Sequence, residues 1–161
     1  MTENAGFPQP TDEHRWLQSH LGDWKVQCKF FTGPETMEVE GSDSVEQHGP
    51  FFVLGHFRAS MFGQEFRGLA TMGFDTATNK FVSTWCDSFS SHIYQFAGTL
   101  SEDKKVLEMS GTNPEPHSGK PAVWRTVETT VDEYTRTFEM FITPPGAPEE
   151  VQISHYTYTR V

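Results

Sequence analysis

An antiparallel β-barrel closed on itself is the fold class this sequence predicts, and three observations carry it. From Trp24 to Arg160 apolar residues recur at every second position in segment after segment, the period of half-buried strands. About ten such segments follow one another at regular spacing with short connections, which is the pattern of a meander. Gly22-Asp23-Trp24 opens the first segment and Arg160 closes the last, so an indole and a guanidinium can meet where first strand joins last.

Residues 1–10 are polar, hold Pro8 and Pro10, and read as a flexible arm ahead of one domain over residues 11–161. Thr11 can cap a helix with Asp12 and Glu13 in its first turn. Trp16, Leu17, His20 and Leu21 recur at helical spacing until Gly22, so a helix of about three turns covers one barrel end. Trp24, Val26, Cys28 and Phe30 make the apolar face of the first strand. Met37, Val39, Gly41 and Val45 make that of the second. Phe51 to Met61, Phe66 to Phe74, Phe81 to Ser88, His92 to Leu100 and Val106 to Gly111 continue the series. Val123 to Val131, Tyr134 to Ile142 and Val151 to Arg160 complete it. Polar turns over residues 75–80 and 101–104 separate strands, and Asn113 to Pro121 is the one long loop. Gly41, Gly55, Gly63, Gly68, Gly73 and Gly98 read as bends that let a sheet curl.

A chain of 161 residues suffices for one domain with a real core. Hydrophobic content is only 35%, but aromatic content is 14%, and large rings offset a thin aliphatic supply. A net charge of -10 argues against nucleic acid and against an anionic membrane surface as partners. No apolar run approaches the roughly 20 residues of a membrane helix. The first six residues lack the basic start and apolar core of a signal peptide, so the cytoplasm is the expected compartment. Cys28 and Cys86 read as two thiols inside strands, outside any metal-ligand spacing, so neither a metal nor a cofactor is expected.

Six short motifs in order carry a family resemblance: His14-Arg15-Trp16-Leu17, Gly22-Asp23-Trp24, Met72-Gly73-Phe74-Asp75, Trp85-Cys86-Asp87-Ser88, Gly119-Lys120 and Tyr158-Thr159-Arg160. From His14 to Arg160 the chain resembles the bacterial domain of unknown function DUF1579, a lipocalin-like (calycin) relative. Phe74 stands where that family usually has Tyr, which removes a hydroxyl from the turn. The resemblance implies a barrel and no particular activity. It also implies that Trp24 lies across the barrel floor under Arg160, a structural cation–π pair of about 0.5–2 kcal/mol.

Six residues are candidates for lining a ligand site. Trp85 and Asp87 share a face of the fifth strand, where a carboxylate among rings must be hydrogen-bonded. Asp87 either anchors a ligand or accepts backbone N–H bonds and shapes the turn into Ser88-Phe89-Ser90. His56 sits in a third strand whose two faces are both mixed. His155 alternates with Val151 and Ile153, yet faces outward if Arg160 faces inward, unless a bulge intervenes. Arg125 shares a face with Val123 and Val127; in the alternative, Trp124, Thr126 and Glu128 are interior and Arg125 meets solvent. Tyr94 and Phe96 complete the aromatic stripe of the sixth strand.

The leading functional expectation is a carrier or sensor of a small hydrophobic or amphipathic molecule held in the barrel. The second is an enzyme with Asp87 or a His as general base, with a haem-binding variant that would use His56 or His155. The third is a structural barrel that forms a homodimer through an outer patch of Phe51, Phe57 and Phe62.

Overall fold

The computed structural model describes residues 6–161, so the first half of the expected N-terminal arm, residues 1–5, lies outside the described residues. Ten strands follow a short helical segment: α1 (Asp12–Leu17), a single 3-10 turn (Gln18–His20), β1 (Gly22–Phe30), β2 (Met37–His48), β3 (Phe52–Met61), β4 (Gln64–Asp75) and β5 (Lys80–Asp87). Then come β6 (Tyr94–Leu100), β7 (Val106–Pro114), β8 (Pro121–Asp132), β9 (Thr135–Thr143) and β10 (Val151–Arg160). Each strand pairs antiparallel with its neighbours in sequence, and β10 returns to β1, closing the barrel. The closing register places Trp24 opposite Arg160 and Phe30 opposite Ser154. Closure leaves no unpaired edge.

The two-residue period decides what faces inward. Trp24, Val26 and Cys28 of β1, Val53 and Phe57 of β3, Phe81 of β5, Tyr94 and Phe96 of β6, Leu107 and Met109 of β7 and Trp124 of β8 are buried. Phe57 is therefore core, not part of an outer patch; the neighbouring Phe62 is exposed at the β3–β4 turn, and Phe51 packs on His14. At Gly68 of β4 an added Cβ would stand 2.0 Å from the Trp85 ring, so the missing side chain is what lets the indole lie flat on the wall. The long loop is shorter than the three prolines suggest: β7 runs through Pro114 and β8 restarts at Pro121, paired across their ends.

The helical segment caps one end. The backbone N–H of Thr11 donates to His14 Nδ1, while His14 Nε2 donates to the Phe74 carbonyl at 2.9 Å. The buried imidazole lies edge-on to Phe51 and Phe74, tying α1 to β4. The Trp16 indole donates to the Lys104 carbonyl and meets Phe81 edge-on.

Candidate functional site

At the helical end the base of the barrel is built from the seam. Trp24 Nε1 donates to the His20 carbonyl, and the Arg160 guanidinium lies 4.1 Å from the Trp24 ring centre. Arg160 also donates to the carbonyls of Ser19, Leu21 and Glu133. Gly22, at φ +112, passes so close that a Cβ there would lie 3.0 Å from Arg160 Nη1.

Above this seam lies a buried ionic cluster whose members come from four elements. Glu128 of β8 accepts from Arg136 Nη1 of β9 at 2.8 Å through Oε1. Its Oε2 accepts from His20 Nε2 at 2.8 Å. The other ring nitrogen of His20 faces the Leu17 carbonyl at 3.1 Å. A carbonyl and a carboxylate both require donors, so the ring donates from both nitrogens and carries a positive charge. Arg136 Nη2 stands 3.7 Å from Asp43 Oδ2 of β2. The guanidinium is held between Tyr158, at 4.3 Å, and Trp24, at 4.8 Å.

Two polar atoms of this cluster have no partner: Asp43 Oδ1 and Arg136 Nε. Burial raises the Asp43 carboxyl above its ordinary value, against the opposing pull of Arg136 and His20. Burial also pushes Glu128 upward, but the charge and hydrogen bond of His20, followed by those of Arg136, prevail and hold it at about 2. Burial pushes the Tyr158 hydroxyl well up, and that of Tyr156 in the same direction.

Rings and small residues share the inner face at the middle of the lumen. Phe57 stacks on Tyr156 at 6.1 Å, Phe138 tilts against Tyr156 at 6.0 Å, and Phe57 meets Trp85 edge-on. Gly55, Ala70 and Ser83 are the small inward positions of β3, β4 and β5, with Gly55 opposite Ala70, Ala70 opposite Trp85 and Ser83 opposite Met72. Phe138, Met140, Tyr156 and Tyr158 point inward but stay half-buried, as do Ala70 and Ser83, so part of the inner surface is uncovered.

The six candidate residues divide. Trp85, Asp87 and Tyr94 face inward toward the end opposite the helix. Trp85 Nε1 donates to Asp87 Oδ2 and the Phe89 N–H donates to Asp87 Oδ1, both at 2.9 Å. Asp87 thus orients the indole and shapes the following turn. Tyr94 is buried edge-on to Trp124.

His56, Arg125 and His155 face outward, which corrects the expectation that they line the lumen. His56 lies 3.0 Å from Glu46 on the exposed face of β2 and β3. Arg125 is bound by Glu150 and Glu108 and lies over Phe141, while Trp124, Thr126 and Glu128 take the inner face. His155 sits opposite Lys29 and Glu139 on the outer side. The register does shift between Gln152 and Ser154, and it lets Ile153 reach the core, but it precedes His155 and leaves the parity down to Arg160 intact. Neither histidine can therefore reach a group held inside the barrel.

Sequence reasoning missed Asp43, Arg136 and the role of His20. Glu128 on one face with Trp124 and Thr126 was the available signal, since an inward carboxylate demands a buried cation. Two concavities lie outside the lumen. One, about 340 Å³, separates α1 from the strand turns near Trp16 and Lys104; the other, about 230 Å³, lies on the outer face near His56, Arg58 and Cys86. Among the described residues no group of three or more His, Cys, Asp or Glu side chains is arranged to hold a metal. No helix among the described residues is long and apolar enough to cross a membrane.

The fold is similar to that of EF1p2_mFAP2b bound to DFHBI, with TM-score 0.51 and 11% identity, covering 92% of this chain and 99% of that one. A redesigned β-barrel, b11L5F_LGL, gives TM-score 0.49 at 11% identity, covering 96% of this chain and 99% of that one. No curated protein matches the sequence. Residues 9–160 match the family described as "Protein of unknown function (DUF1579)", nearly the whole described barrel with its capping helix, and the chain belongs to that family.

Proposed function

We propose that this barrel binds a small, partly apolar molecule in its lumen. One observation carries the reading: half-buried rings at the centre of the protein stand above two buried polar atoms that lack partners. Close-packed cores cover such rings, and buried polar atoms are nearly always satisfied. Apolar walls with a few convergent polar groups are the usual form of a small-molecule site. Trp85 and Tyr94 would form the upper lining, with Asp87 fixing the indole. A neighbour of similar fold bound to DFHBI is consistent with this use of a barrel. The net charge of -10 favours such a ligand over nucleic acid.

The test uses methionine methyl NMR, because Met140 faces the uncovered part of the lumen. Toluene should shift the Met140 methyl signal saturably, with one molecule bound. Native mass spectrometry of protein from the producing cell, and of its organic extract, should show a retained small molecule. A bare mass together with unmoved methyl signals would overturn the proposal.

A further inference from the structure

The ionic cluster at the lumen base says what the bound molecule's polar end must be. Asp43 and Arg136 are 9% and 8% exposed as residues, their side chains 11% and 10%, and the partnerless atoms belong to one ion pair. An acceptor without a donor and a donor without an acceptor each leave a desolvation penalty unrelieved. Arg136 is fixed by Glu128, Tyr158 and Trp24, and Asp43 leans on Gly55, where a Cβ would come within 3.2 Å of Oδ1. With no side chain at Gly55 and only Ala70 beside it, the wall next to Oδ1 stays low.

The charge of the cluster is already balanced. Asp43 and Glu128 supply two carboxylates, Arg136 a guanidinium, and His20, donating from both nitrogens, an imidazolium. A charged head group brought into this base would be the one ion without a counter-ion in a low-dielectric site. A neutral head carrying both a donor and an acceptor answers both deficits and adds no charge.

On these grounds, and resting on the lumen-binding reading above, we infer that the ligand is a molecule with a planar apolar body and a neutral donor–acceptor head, of the primary amide or phenol class. The head donates to Asp43 Oδ1 and accepts from Arg136 Nε. The body lies against Phe138, Met140 and Tyr156. Asp43 is the residue that selects the head, since Glu128 is already saturated by His20 and Arg136.

Four probes built on one phenyl ring separate this inference from the broader one: toluene, benzamide, benzoate and benzylamine, each titrated into the full chain with the Met140 methyl signal as readout. Two added hydrogen bonds should make benzamide about tenfold tighter than toluene. Benzoate and benzylamine should both bind more weakly than benzamide. Toluene equal to benzamide, or either ion tighter than benzamide, overturns the head-group assignment and leaves the lumen reading standing. No shift with any probe overturns both. In Asp43→Leu, where only the Arg136 Nε contact is left to the head, the benzamide preference should fall from about tenfold to about threefold while toluene binding holds; an undiminished preference of about tenfold overturns the role of Asp43. Should that variant not fold, the four-probe comparison on the native chain decides alone.

Discussion

Glu128 shows how one residue's protonation is tied to stability. Its carboxyl is buried, accepts from His20 and Arg136, and is held at about 2 against an ordinary 4.5. A depressed carboxyl contributes stability that is present above the unfolded value and lost as pH falls toward the folded one. The Glu128 contribution, on the order of 3 kcal/mol, should therefore disappear between pH 4.5 and about 2. Asp43 has the opposite sign, because burial raises it, so its ionisation costs stability as pH rises. Urea denaturation across acid pH should show a steep loss for the native chain. Glu128→Gln should be flatter over that window and about 3 kcal/mol less stable at neutral pH, since it leaves His20 and Arg136 without their anion. Equal pH slopes for the two proteins would remove Glu128 from this role. The inward face of β8 made the carboxylate legible in sequence; its partners lie 108 and 8 residues away, which no local pattern reveals.

At the scale of the element, the alternation of apolar residues is sufficient to place nearly every strand, because one face of each must be buried. Turns are less uniform. Phe62-Gly63 joins β3 to β4 as a two-residue loop in which both residues have positive φ, 53° and 72°. That backbone suits Asn-Gly and penalises Phe, and the Phe62 ring is 77% exposed, so burial does not repay the conformation. Phe62→Asn should raise stability by about 1 kcal/mol, read from the urea midpoint. A lower midpoint would mean that the ring holds something this hairpin needs. Strand parity was the weak point of sequence reasoning. In β3 both faces hold large side chains, Val53 and Phe57 against Phe52 and Leu54, and only the cross-strand partners Val45 and Asp43 settle which face is inside.

For the whole molecule, Arg160 is the joint. It lies on Trp24 of the first strand, donates to Ser19 and Leu21 at the helical end, and reaches Glu133 in the turn between β8 and β9. Arg160→Ala should cost about 2–4 kcal/mol, from a lost cation–π stack and three unpaired carbonyls. Arg160→Lys should recover little of it, since one ammonium cannot serve three carbonyls and a ring face together. Denaturation midpoints of the two variants check this; a lysine variant as stable as the native chain would reduce Arg160 to a point charge.

Sequence alone determined that this chain alternates, that it does so about ten times, and that its ends carry the indole and guanidinium of a seam. Those properties depend on local period and on the cost of leaving apolar faces in water, and both are written residue by residue. The tertiary structure decided what the lumen is lined with. His56, Arg125 and His155 turned outward and Asp43, Arg136 and His20 turned inward because a charge is tolerated inside only when its counter-ion arrives from another strand. That meeting depends on closure of the sheet, which brings β2, β8, β9 and the helical end to one place.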